Sequence, residues 1–215
     1  MTAEQPDYFS NHRRAGRFPW SLYHGPIEAD LLAFLKTNFV RDREADVLVV
    51  GCGLLQEADE APPHIRLHVI DIDPRAIEAV QRQGHRQLAS GTLVAPDQPL
   101  ASLGRQFDGA YAKEVIEHIL GPEAYLRDLR SVLAPGAPIW LSTPNYGEPW
   151  LPLIEMTFLE LVARMSGYAR AALHPTKFSR TRLALALRRS GFTDVQVRTV
   201  ARRLALVATA RVDSR

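Results

Sequence analysis

Two stretches, V-L-V-V-G-C-G from Val47 to Gly53 and L-H-V-I-D from Leu67 to Asp71, decide how this sequence is read. The first is a short apolar run that breaks into Gly51-Cys52-Gly53. A strand buried on both faces has this composition, and glycines at its carboxyl end let the backbone turn tightly against a ligand. The second is another buried strand, ending in an acid and followed by Ile72-Asp73-Pro74. An open parallel sheet places such an acid so that it accepts hydrogen bonds from a ribose diol. Together the two stretches read as a site for a nucleoside cofactor, with Val50, Gly51, Cys52, Gly53, Asp71 and Ile72 lining it.

Working outward, Asp73 can cap a helix with Pro74 in its first turn and Gly84 at its end. Leu54 to Pro63 is short and acidic, with room for a helical turn or two before Pro62-Pro63. Upstream, Pro26 can open a helix in which Ile27, Leu31, Phe34 and Leu35 share a face. The aromatic cluster Phe18 to Gly25 before it either packs on the outside or closes over the crevice. Downstream, strands are expected at Thr92 to Ala95, Phe107 to Ala112 and Pro138 to Thr143. Gly121-Pro122 opens a helix facing inward through Tyr125, Leu126, Leu129, Val132 and Leu133, and Pro135-Gly136 stops it. Trp150 to Met165 is apolar around most of a helix, so it must be buried on several sides or cover a greasy cavity. A helix over Ser179 to Ser190 ends at Gly191. Asp194 to Val200 and Leu204 to Ala210 read as a closing hairpin. Alternating strands and helices define an α/β, Rossmann-like doubly wound sheet, mostly parallel with an antiparallel C-terminal hairpin. We read 1–215 as a single domain, with 1–44 as an N-terminal extension or lid and 146–178 as a cover on the acceptor side.

Composition excludes several classes. The chain has 215 residues, 46% hydrophobic and 23% charged, which is ordinary globular usage. A net charge of +2 is too small to imply nucleic acid as a partner. One cysteine excludes an internal disulfide framework and fits a reducing compartment. The amino-terminal M-T-A-E-Q-P-D lacks the features of a signal peptide, and the greasy stretch Leu151 to Met165 is interrupted by Glu155, Glu160 and Arg164. The expected location is therefore cytoplasmic, without a membrane span.

From about Asp46 onward the chain resembles the class I S-adenosylmethionine-dependent methyltransferases. The resemblance lies in the order of Gly51-Cys-Gly53, Asp71, Phe107-Asp108 and Gly191-Phe192. It implies a seven-stranded sheet, S-adenosylmethionine as cofactor, and Gly51, Gly53, Asp71 and Lys113 among the residues around it. Two departures stand out. Val49 replaces the acid usual two residues before the first glycine, and Leu55 replaces the third glycine. A dinucleotide dehydrogenase competes for a Gly-x-Gly turn, but its next glycine would fall at Gln56.

The chemistry concentrates in Glu114-Val-Ile-Glu117-His118. As a helix this stretch would converge Glu114, Glu117 and His118 on one face. E-V-I-E-H, L-S-T-P-N and H-P-T-K-F are similar to phrases of two metal-using branches, the ubiquinone-pathway O-methyltransferases and the small-RNA 2′-O-methyltransferases. That resemblance implies Glu114, Glu117, His118 and His174 as ligands of a divalent ion such as Mg²⁺, Mn²⁺ or Zn²⁺. Without an ion, His118 assisted by Glu117 could serve as general base. The expected function is methyl transfer to a hydroxyl of a small, fairly hydrophobic molecule, with a homodimer left open. A nucleic-acid acceptor is disfavoured because the basic residues are scattered. A catalytically silent, methyltransferase-like binding protein is the alternative from another class. His12, His24, His64, His68 and His85 are read as surface or packing residues.

Overall fold

The computed structural model describes residues 18, 20–39, 43–148 and 174–214. In chain order the main elements are α1 (Ser21–Asn38), β1 (Ala45–Val50), β2 (Ile65–Asp71), α2 (Pro74–Gln83), β3 (Leu88–Leu93), β4 (Gly109–Lys113), α3 (Pro122–Ser131), β5 (Pro138–Pro144), α4 (Arg180–Arg189), β6 (Phe192–Val200) and β7 (Ala205–Val212). The strands form one seven-stranded sheet in the order β3-β2-β1-β4-β5-β7-β6. All pairs are parallel except β5/β7 and β6/β7. The expected doubly wound sheet with an antiparallel terminal hairpin is therefore present.

Alternation along β1 builds the two layers. Val47 and Val49 join the core under α1 and α2, whereas Leu48 and Val50 join the core under α3 and α4. All four are 8% exposed or less, so β1 is greasy on both faces because it is covered on both. Each such aliphatic side chain, taken from water, contributes roughly 1.5–3 kcal/mol.

Helix α2 follows its local signals. Asp73 accepts from the Arg75 amide at 2.9 Å, Pro74 opens the first turn, and Gly84 at φ 64° closes it with a bond to the Val80 carbonyl. Helix α4 is capped by Ser179, which accepts from the Arg182 amide.

Four expectations are corrected. Helix α1 begins at Ser21, not Pro26, because the Trp20 carbonyl accepts from the amides of Tyr23 and His24 and holds an earlier turn. Pro26 sits in the second turn, where its missing N–H costs only one helical bond. The third strand is Leu88–Leu93 rather than Thr92 to Ala95; it is an edge with little apolar patterning to mark it. The fourth begins at Gly109, since Phe107 instead bridges Leu133. Finally, Glu114 to His118 is not a helix. Glu114 has φ 57°, and only Ile116–His118 forms a single 3-10 turn.

The helix expected over Trp150 to Met165 lies outside the described residues, as do residues 1–17 of the front extension and the middle of the 146–178 cover. No helix among the described residues is long and apolar enough to cross a membrane.

Candidate active site

The carboxyl ends of β1, β2 and β4 meet at the glycine turn. Gly51 has φ 69° and donates its amide to the Ile70 carbonyl at 2.9 Å. A Cβ there would come within 2.5 Å of a Val115 methyl, so the turn after β4 packs directly on the turn after β1. Asp71, the last residue of β2, is fixed by two backbone donors: the Gly53 amide at 3.3 Å and the Asp73 amide at 2.9 Å. A carboxylate has about four lone-pair positions, so acceptor capacity remains for a vicinal diol. Cys52 donates its thiol to Asp71 at 3.6 Å, and burial with the neighbouring carboxylate keeps that thiol protonated. Ile72 is 61% exposed beside Asp71, an apolar surface against which a flat base can lie.

Both departures in the glycine motif resolve into packing. Leu55 takes the left-handed conformation (φ 49°, ψ 39°) that glycine would take more easily. Its side chain is 1% exposed in the core under α1 and α2, not in the ligand space. Val49 lies in the same core and offers no charge.

An ion cluster stands beside the turn. Nζ of Lys113, at the end of β4, donates to Glu57 Oε2 at 2.7 Å and approaches Glu28 Oε1 at 3.5 Å. Tyr111 donates its hydroxyl to Glu57 Oε1 at 3.0 Å. Burial opposes ionisation of both partners, yet their mutual attraction prevails: Glu57 titrates below and Lys113 above its ordinary value. Only Lys113 was singled out in the sequence. Glu57 and Glu28 come from an acidic 3-10 turn and from α1, where nothing in spacing marks them.

On the acceptor side, Glu117, His118 and His174 offer ligand atoms all within 4.8 Å of one another. The His118 and His174 rings stand edge to face at 5.0 Å. Thr176 holds the His174 segment in place, donating its amide to the Glu117 carbonyl at 3.1 Å and its hydroxyl to the Ile119 carbonyl at 2.5 Å. The Tyr146 hydroxyl lies 2.5 Å from Nδ1 of His174. Glu114 does not join this trio. Its positive φ turns it toward Ser142 and Tyr23, whose hydroxyls each donate to it at 2.8 Å. Burial raises the Glu114 carboxyl above its ordinary value, and those two donors moderate the shift. Helix spacing put Glu114 on one face with Glu117 and His118, and the resemblance implied it as a fourth ligand. Tyr23, from the aromatic cluster and in the first turn of α1, is brought to the site by this contact.

Comparison with known proteins agrees with this architecture. Residues 22–197 match the family model described as a methyltransferase domain. The chain therefore belongs to that family, within the class I S-adenosylmethionine-dependent methyltransferases. No curated protein matches the sequence significantly. Among solved structures, the chain is similar to the CurJ carbon methyltransferase (16% identity, TM-score 0.71), covering 95% of this chain and 58% of that one. It is also similar to the N-methyltransferase NodS from Bradyrhizobium japonicum WM9 with S-adenosyl-L-homocysteine (20% identity, TM-score 0.61, covering 97% and 99%). A third is the magnesium protoporphyrin IX methyltransferase ChlM from Synechocystis PCC 6803 with the same ligand (17% identity, TM-score 0.65, covering 95% and 94%). At these identities the likeness is one of fold.

Proposed function

We propose that this chain transfers a methyl group from S-adenosylmethionine to a hydroxyl of a small, fairly hydrophobic molecule. One observation carries the reading: Glu117 and His118, which His174 joins, lie on the turn that packs, through Val115, against Gly51. That puts a basic, polar trio next to where the sulfonium would lie. Gly51, Gly53 and Asp71 hold the nucleoside, with Ile72 flanking the base.

Transfer to oxygen needs the hydroxyl to lose its proton as it attacks in line with the methyl carbon. His118 is the group suited to accept that proton, with Glu117 beside it to stabilise the charged ring; Nε2 of His118 lies 3.9 Å from Glu117 Oε1. The one-carboxylate, two-imidazole donor set also suits a divalent ion, which when bound would acidify a coordinated hydroxyl. In that case Glu117, His118 and His174 would hold it, and Glu114 would not. Tyr23 and the 146–178 region would limit water around the sulfonium.

The test pairs calorimetry with turnover. S-adenosylhomocysteine should bind at micromolar Kd, and labelled S-adenosylmethionine should methylate hydroxylated apolar acceptors. His118→Ala should lower kcat by about a hundredfold or more with S-adenosylhomocysteine affinity unchanged. Metal analysis and chelation decide between the two forms of acceptor activation. Exclusive methylation of amines or carbon acids would overturn the oxygen assignment. The silent, partner-binding alternative draws on the two departures at Val49 and Leu55; absence of measurable binding heat at high protein concentration would favour it.

A further inference from the structure

The Lys113 cluster takes no part in the chemistry above, yet it borders the glycine turn. Two carboxylates there share one ammonium. Glu57, 2% exposed, takes the short bond and a hydroxyl donor from Tyr111, so it is satisfied without help. Among the described residues, Glu28 on α1 has only the 3.5 Å approach to Lys113, and its side chain is 31% exposed. Lys113 itself is 26% exposed. The rim of the crevice thus carries an incompletely neutralised carboxylate next to a reachable cation. That pair is the complement of a zwitterion: an ammonium for Glu28 and a carboxylate for Lys113.

Position favours the same occupant. Lys113 follows Ala112, which pairs with Val50, so its backbone lies beside the Gly51 turn. The ribose acid Asp71 contacts the other side of that turn through Gly53 and Cys52. A nucleoside held at Asp71 and carrying an amino-acid tail across the turn would reach the cluster. At position 49, where family members usually carry an acid, this chain has a buried valine that cannot meet an ammonium.

We infer that Glu28 and Lys113 bind the amino-acid end of the cofactor, the carboxylate having moved from the first strand to the first helix. This rests on the S-adenosylmethionine reading. A purely structural ion cluster would be complete with Glu57, Lys113 and Tyr111 alone.

The experiment measures Kd by calorimetry for two probes, S-adenosylhomocysteine and 5′-methylthioadenosine, which shares the nucleoside and thioether but lacks the amino acid. Glu28→Gln should weaken S-adenosylhomocysteine roughly ten- to a hundredfold and leave methylthioadenosine unchanged, with the melting temperature unaltered. Glu28→Asp, which keeps the charge, should recover part of the loss, as a folding defect would not. Equal effects on both probes, or no effect on either, overturn the inference while the cofactor reading stands. If wild-type protein binds neither probe, both fall together. Lys113 is a poorer first target because its removal strands the buried charge of Glu57.

Discussion

Gly51 shows how much one position can decide. Its φ of 69° is costly for any residue with a Cβ, and the space a Cβ would need is filled by Val115 at 2.5 Å. Gly51→Ala should therefore lose about 1–3 kcal/mol in urea denaturation and weaken S-adenosylhomocysteine as well. Gly84→Ala is the control. It has similar backbone strain (φ +64°) but open space around it, so it should lose stability without losing the ligand. Gly109 adds a different constraint. A Cβ there would meet the Phe39 ring at 2.5 Å and the Pro138 carbonyl at 2.9 Å, so the start of β4 must be bare. These demands are only half legible in sequence. The Gly-Cys-Gly turn announces itself after an apolar run, but Gly109 within F-D-G-A-Y-A carries no local sign of the ring that presses on it.

At the scale of elements, legibility follows the range of the interactions involved. Helix α2 could be read to the residue because Asp73, Pro74 and Gly84 act within their own turn. Strand β5 was legible from its bounded apolar run, and β6 from the alternation of Val195, Val197 and Thr199 with polar residues after Gly191. Glu114 to His118 was misread because its path depends on partners far along the chain, Ser142 and Tyr23. For the same reason Glu57 and Glu28 were invisible: each becomes meaningful only once Lys113 arrives from β4. The joint between α1 and the sheet is another long-range device. Asp30 accepts from the indole N–H of the fully buried Trp140 at 2.8 Å and from Nη2 and Nε of Arg198, at 2.6 and 3.0 Å. Asp30→Ala should cost about 1–3 kcal/mol in chemical denaturation, since it leaves a buried donor unmade. Asp30→Asn, which keeps an acceptor for Trp140, should cost less.

At the scale of the whole molecule, one buried histidine links stability to acidity. His68 on β2, read from sequence as a packing or surface residue, lies between Ser90 of β3 and Asp46 of β1, 2.8 Å from each. Arg105 donates toward its Nδ1 and to Asp46, while Arg66 also faces Asp46. Because Nδ1 must accept, Nε2 carries the proton given to Asp46. Burial, assisted by the two arginines and opposed by Asp46, holds the ring below its ordinary value of 6.5. The unfolded chain then binds more protons than the folded one as pH falls past about 6.5, so this contribution is present above that value and lost below it. Urea titrations at several pH values should show wild-type stability declining from about pH 6.5 more steeply than His68→Gln. Parallel curves would remove the coupling.

The described ends of the segment between β5 and α4 meet at one place. Asn145 bridges Phe178, the Tyr146 amide reaches the Phe178 carbonyl at 2.9 Å, and Thr176 is tied to the turn at Glu117. The two ends of that segment therefore begin and finish at a shared root. Closing a segment twice as long adds only about 0.6 kcal/mol of entropy cost. On the proposal that 146–178 covers the acceptor side, exchanging residues 149–173 for the counterpart from another member of the fold should change which molecule is methylated while the sheet still folds.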